Sequence, residues 1–83
     1  MRPTYFLTPE QTKMLEDSSP YWPKAFEYAK LMEAGVEFPP VKIHYDTALD
    51  KWRYNDGRHR VMAAKLANKP LKVRSKYRMG EKK

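Results

Sequence analysis

Cysteine is absent, which excludes disulfide staples, thiolate metal sites and cysteine nucleophiles. Branched aliphatics are scarce: Val, Ile and Leu supply only 11 of the 83 residues. No apolar run approaches the ~20 residues that span a bilayer, and the first residues lack the apolar core of a secretory leader. The chain is therefore expected to be soluble and cytoplasmic, with no membrane partner. Its length excludes a multidomain enzyme and leaves one small domain over residues 1–83, with residues 1–7 and 78–83 as loose ends.

Apolar residues make up 41% of the chain, enough for a real core. The aromatics, 11 in all, match the branched aliphatics in number, so rings are expected to supply much of the packing. The net charge is +7, and it is unevenly placed. Residues 1–50 carry 5 basic and 8 acidic side chains, whereas residues 51–83 carry 12 basic and 2 acidic. Such polarity suits phosphates or an acidic partner, although Lys-rich surfaces also serve plain solubility.

Local signals give an element order. Thr8-Pro9-Glu10-Gln11 has the chemistry of a helix start, with a Thr cap, Pro in the first turn and Gln at the capping-box position. That helix should fade near Asp17, where Ser18-Ser19-Pro20 is turn chemistry. A second helix is expected from Pro23 to Ala34, stopped by Gly35, with Phe26, Ala29 and Met32 on its buried face and Trp22 at its base. Pro39-Pro40 leads in extended form to Val41–Tyr45, which alternates like a strand and pairs as a hairpin with Lys51–Tyr54. Arg58–Ala67 has strong helix formers, Asn68-Lys69-Pro70 stops them, and Leu71–Arg74 alternates again. The fold class is α+β, a short mixed sheet with helices packed on it.

Chemistry concentrates in Tyr54-Asn55-Asp56-Gly57-Arg58-His59-Arg60, where a strand turns directly into a helix. Unpaired N–H groups at a helix start attract anions, Gly57 allows close backbone approach, and Arg58, His59 and Arg60 add charge-assisted donors. On these residues alone, a phosphate cradle and an ordinary helix start capped by Asn55 or Asp56 are equally supported. His44 and His59 lack a carboxylate at ligand spacing, so no metal site is expected. Asp46, Asp50 and Asp56 suit Mg²⁺ bound jointly with a nucleotide, but two of them are more simply turn residues. Trp52 and Tyr54 alternate with Lys51 and Arg53 as in base-stacking platforms, but so few aliphatics argue that the rings turn inward. Tyr21, Trp22 and Tyr28 are likewise expected to pack. Lys72, Arg74, Lys76 and Arg78 fall on one side of a strand by parity, a stripe suited to a phosphate backbone, and Lys72, Arg74 and Lys76 are expected to converge with Arg58 and Arg60.

Pro39-Pro40-Val41, the hairpin, Asn55-Asp56-Gly57-Arg58-His59-Arg60, Ala63-Ala64 and the closing Leu71-Lys72-Val73 together resemble the ParB/sulfiredoxin superfamily. The resemblance covers Thr8 to about Lys76. It implies a ParB/sulfiredoxin-like domain whose Gly57, His59 and Arg60, with Arg58 at the variable position, bind the phosphates of a nucleoside triphosphate, ATP or CTP. Arg58 stands where sulfiredoxins carry their cysteine, so reductase chemistry is excluded. The upstream nucleotide box of ParB proteins is not recognisable in Met1 to Leu7. No helix-turn-helix follows, so the expectation is a small freestanding member, similar to plasmid and phage accessory proteins.

The function expected is phosphate binding at Gly57–Arg60, with DNA or RNA as partner and Lys72, Arg74 and Lys76 as nucleic-acid contacts. One alternative is a non-catalytic interaction protein whose basic face docks on an acidic protein or ribonucleoprotein. Another is an NTPase or nuclease, Mg²⁺-dependent if hydrolytic, with Asp56 or His59 as base; activity, if any, should be weak, because a phosphate cradle alone does not catalyse transfer.

Overall fold

The computed structural model describes residues 4–79. Thr4–Leu7 forms strand β1, with Tyr5 and Leu7 inward and Thr4 and Phe6 outward. This corrects the loose end expected there: the segment pairs antiparallel with the closing strand β4, Leu71–Arg74, through its whole length. Residues 1–3 and 80–83, also expected as loose ends, lie outside the described residues.

The capping box after β1 forms as its residues dictate. Thr8 Oγ1 accepts the Gln11 N–H at 3.1 Å, and Gln11 Oε1 accepts the Thr8 N–H at 3.0 Å. Helix α1 is one turn, Pro9–Thr12, ending well before Asp17. Leu15 is buried and makes a β-bridge to Trp52, which pulls the chain out of the helical path.

Helix α2, Trp22–Glu33, ends at Ala34, and Gly35 follows at φ +91°, with the Val36 N–H donating back to the Leu31 carbonyl at 3.0 Å. Its buried face differs from expectation. Ala25 and Ala29 are buried, Met32 only partly, while Phe26 is 53% exposed and stacks on exposed Trp22 at 5.9 Å. Exposed Tyr21 also fails to pack. Helix α3, Arg58–Ala67, forms over the expected residues and supplies the reason. Val61 and Ala64 face the sheet core, while Met62 and Ala63 are buried outside it, as are Ala25 and Ala29 where α2 lies on α3. Alanines let two backbones approach closely and leave no room for a ring.

Strands β2, Val41–Asp46, and β3, Lys51–Tyr54, make the antiparallel hairpin, and β2 runs parallel to β4. The order β1-β4-β2-β3 completes a four-stranded mixed sheet, and the fold is α+β. One face carries Tyr5, Leu7, Val41, Ile43, Tyr54, Leu71 and Val73 into the core with Leu15, Val61, Ala64 and Met79. Only two of these 11 core residues are aromatic, so aliphatics outweigh the rings expected to dominate. Trp52 packs half-buried against this cluster. The opposite face is open to solvent at Thr4, Phe6, Lys42, His44, Lys51 and Arg74. Among the described residues, no helix is long and apolar enough to cross a membrane.

The chain after β4 is tied to β1. The Tyr5 hydroxyl accepts the Met79 N–H at 3.0 Å and donates to the Tyr77 carbonyl at 3.2 Å, and the Arg78 guanidinium lies 4.5 Å over the Tyr5 ring. Arg78 and Met79 are thus held, where a loose end was expected. Replacing Tyr5 by Phe leaves the buried Met79 N–H without its acceptor, so urea denaturation should register a loss of about 1–3 kcal/mol. Amide exchange at Met79 should quicken before that of β2.

Candidate functional site

The turn from β3 into α3 is built around Gly57, which takes φ +94° as the first residue of the helix cap. A Cβ there would stand 3.0 Å from the Arg60 guanidinium and 3.1 Å from the Val41 methyls, so both backbone sign and space demand glycine. The Asp56 carboxylate accepts the N–H of Gly57 at 2.8 Å and does not reach the helix's first turn. Neither Asn55 nor Asp56 is therefore the expected side-chain cap, and α3 begins with none. Its first N–H groups keep their positive potential.

The three basic residues after Gly57 occupy different positions. Arg58 is exposed. His59 Nε2 accepts the N–H of Tyr21, the N-cap of α2, at 3.0 Å, and its ring meets the edge of Tyr28 at 6.4 Å. Accepting at Nε2 requires the neutral imidazole. Burial, then the charges of Lys24 and Arg58, lower its pKa from the usual value. Arg60 donates from Nη1 to the Pro39 carbonyl at 2.8 Å and the Pro40 carbonyl at 3.3 Å. Gly57, Arg58, His59 and Arg60 thus share one turn, but two of the three cationic candidates hold neighbouring backbone. The candidate bases are similarly engaged, Asp56 with Gly57 and His59 with Tyr21.

A second cationic surface lies on the open sheet face. Arg74 pairs across the sheet with Thr4 on one side and Lys42 on the other, and Lys72 stands opposite Phe6. Lys72 Nζ is 4.0 Å from the exposed Glu37 carboxylate, a loose pair. Arg53 on the same face is neutralised by Glu16 at 3.1 Å and Asp46 at 3.3 Å. The Leu49 N–H, followed by Arg53 and the Ala48 N–H, keeps the Asp46 carboxyl below its usual pKa despite burial. Lys76 lies beyond β4, with Nζ 5.5 Å over the Tyr77 ring, so the strand stripe stops at Arg74.

The sheet separates the origins of Arg58 and Arg60 from those of the stripe they were expected to join. Helix α3 covers the core face, while Lys72 and Arg74 point from the other. Lys42 and Phe6 are the residues that sequence reasoning missed. The alternation of Val41, Lys42 and Ile43 already turns Lys42 outward; Phe6 carries no such signal, because its strand is defined by its pairing with β4. Beside Phe6 a cleft of about 430 Å³ opens between the end of α2 and the start of β4, lined by Met32, Val36, Phe38, Pro39 and Lys72 among others. His44 and His59 sit in different layers, and among the described residues no three His, Cys, Asp or Glu side chains gather as a metal site would require.

Comparison with known proteins adds no relative. No family model, curated protein or solved structure matches this chain. The site's chemistry rests on its own residues.

Two outcomes test the turn. Gly57→Ala must adopt a left-handed backbone and push against Val41, so it should lose about 1–3 kcal/mol in chemical denaturation. For His59, the folded pKa lies below the unfolded one, so its contribution is present above the usual imidazole value and fades as pH falls. Stability measured from about pH 8 down to 5 should decline, and His59→Gln should flatten that part of the profile.

Proposed function

We propose that this domain binds nucleic acid through its phosphates, with the open sheet face as the contact surface. The observation that carries the reading is the row Lys42, Lys72 and Arg74. These cations rise from adjacent strands on a face no helix covers, and Glu37 at 4.0 Å from Lys72 is the nearest paired carboxylate. Strands stand ~4.8 Å apart, so the row matches a charged backbone better than a single small anion. Lys76, on the bend after β4, extends the basic surface without belonging to the row. A ParB/sulfiredoxin-like origin is supported by the hairpin, left-handed glycine turn, helix and closing strand in that order, and remains part of the proposal.

A second reading, a nucleoside triphosphate such as ATP or CTP at Gly57–Arg60, is favoured by one observation. The first turn of α3 has no side-chain cap, and Lys24 and Arg58 both act on His59 with positive charge. There Arg58 would meet phosphate directly, while Arg60 and His59 position the turn. Hydrolysis, with Mg²⁺, would require Asp56 or His59 to leave the bonds it now makes. An acidic protein partner on the same basic face is the outcome left if nucleic acid does not bind.

The experiment is a salt titration of a fluorescent oligonucleotide. Three phosphate contacts give a log–log slope of roughly −2 to −3. The pair Lys42→Glu and Arg74→Glu should reduce affinity by about tenfold or more without unfolding the domain, since both side chains are exposed. Arg58→Glu should leave oligonucleotide affinity nearly unchanged and weaken only ATP or CTP, if either binds. Loss from Arg58→Glu alone would move the polymer contact to the turn.

A further inference from the structure

The cleft and the cationic row share residues. Phe6 and Lys72 face each other across β1 and β4, and both also line the cleft. Phe6 is 54% exposed and Val36 46%, although they stand at the mouth of a recess whose other walls include Phe38, Pro39 and Met32. Covering such surface is favourable, and a recess of about 430 Å³ is within the range that holds small planar groups. Its charged lining consists of Lys69, Lys72 and Glu37, among the described residues, and the row continues outward through Lys42 and Arg74. An apolar peptide would match the walls and ignore the cations; an isolated phosphate would do the reverse. A polyanion that carries flat apolar groups at every repeat matches both.

We infer that the cleft receives an unpaired base of a single-stranded nucleic acid whose phosphates lie on Lys72, Lys42 and Arg74. The inference rests on the sheet-face reading above and adds what that reading leaves open, the strandedness of the ligand. A base held in a duplex presents only its edge, whereas an unstacked base offers its whole face to the Phe6 ring and can turn into the recess. Stacking on a ring is indifferent to base identity, so little sequence preference follows. DNA and RNA share this chemistry.

Fluorescence anisotropy with three probes of equal length, about ten nucleotides, tests the inference. They are a single strand, the same sugar–phosphate backbone without bases, and the duplex. The single strand should bind roughly fivefold or more tightly than the abasic backbone. Phe6→Ala should bring it down to the abasic level and leave the abasic and duplex affinities where they were. Phe6→Tyr, which keeps the ring, should restore binding. Val36→Glu, at an exposed loop position, puts a negative charge at the mouth and should weaken the single strand even if Phe6→Ala disturbs β1. Equal affinity for the base-bearing and abasic probes, or indifference to both Phe6→Ala and Val36→Glu, overturns the cleft and leaves the sheet-face reading intact. No binding of any probe at low salt overturns both. Ribose and deoxyribose versions of the single strand show which sugar is preferred, and binding of either supports the inference.

Discussion

At Gly57 the backbone of the β3–α3 turn comes so close to Val41 that an added Cβ would stand 3.1 Å from its methyls, and from the same turn Arg60 reaches the Pro39 and Pro40 carbonyls. This joint ties the start of the buried helix α3 to the start of β2. Much else is referred to it. Helix α3 places Val61 and Ala64 on the sheet and its other buried residues beside α2, and β4 begins where α3 stops. His59, one residue from the arginine, sets the other helix by accepting the N–H at its cap. The basic residues that look most like ligand contacts are therefore also the fasteners of the fold. Their engagement is why the polymer contact is better sought on the sheet.

Charge follows the layers. On the core side, Lys65 is held by the Leu15 carbonyl at 2.7 Å and by Asp17, whose carboxyl is lowered through that hydrogen bond and charge. On the open side, Arg53 is consumed by Glu16 and Asp46 at the hairpin end, which leaves Lys42, Lys72 and Arg74 as the exposed or half-exposed cations at the other end. Pairing within the fold, rather than the excess of Lys and Arg in the second half of the chain, decides which positive charges face a partner. The first half contributes to the row through Lys42, and to the adjoining cleft through Phe6 and Val36.

Elements with two agreeing signals were legible in the sequence. Arg58–Ala67 combined helix formers with Gly57 before and Asn68-Lys69-Pro70 after, and both boundaries hold. The hairpin strands and β4 showed alternation between turn residues, and α1 began at its capping box. Elements with one signal were not. β1 is four residues long, and its pairing with β4, distant in sequence, makes it a strand. The inward face of α2 depended on what it packs against: spacing favoured Phe26, and the close approach to α3 selected Ala25 and Ala29. For the candidate site, parity placed Lys72 and Arg74 correctly on one face. It had no means of placing Arg58 and Arg60 in another layer, because that follows from which side of the sheet α3 crosses.

The pairing of β1 with β4 has a consequence for how the domain is made. Among the described residues, β1 pairs only with β4, which lies far along the chain, so the sheet cannot close before β4 is available. Until then Tyr5 and Leu7 have no core to enter, and Phe6 sits beside them in a short apolar stretch exposed to other chains. The hairpin and the two long helices can assemble meanwhile, since their contacts are closer in sequence. The β1–β4 contact is thus a late step of folding: β1 waits for β4, and Tyr5 closes over Met79 only when both segments are in place.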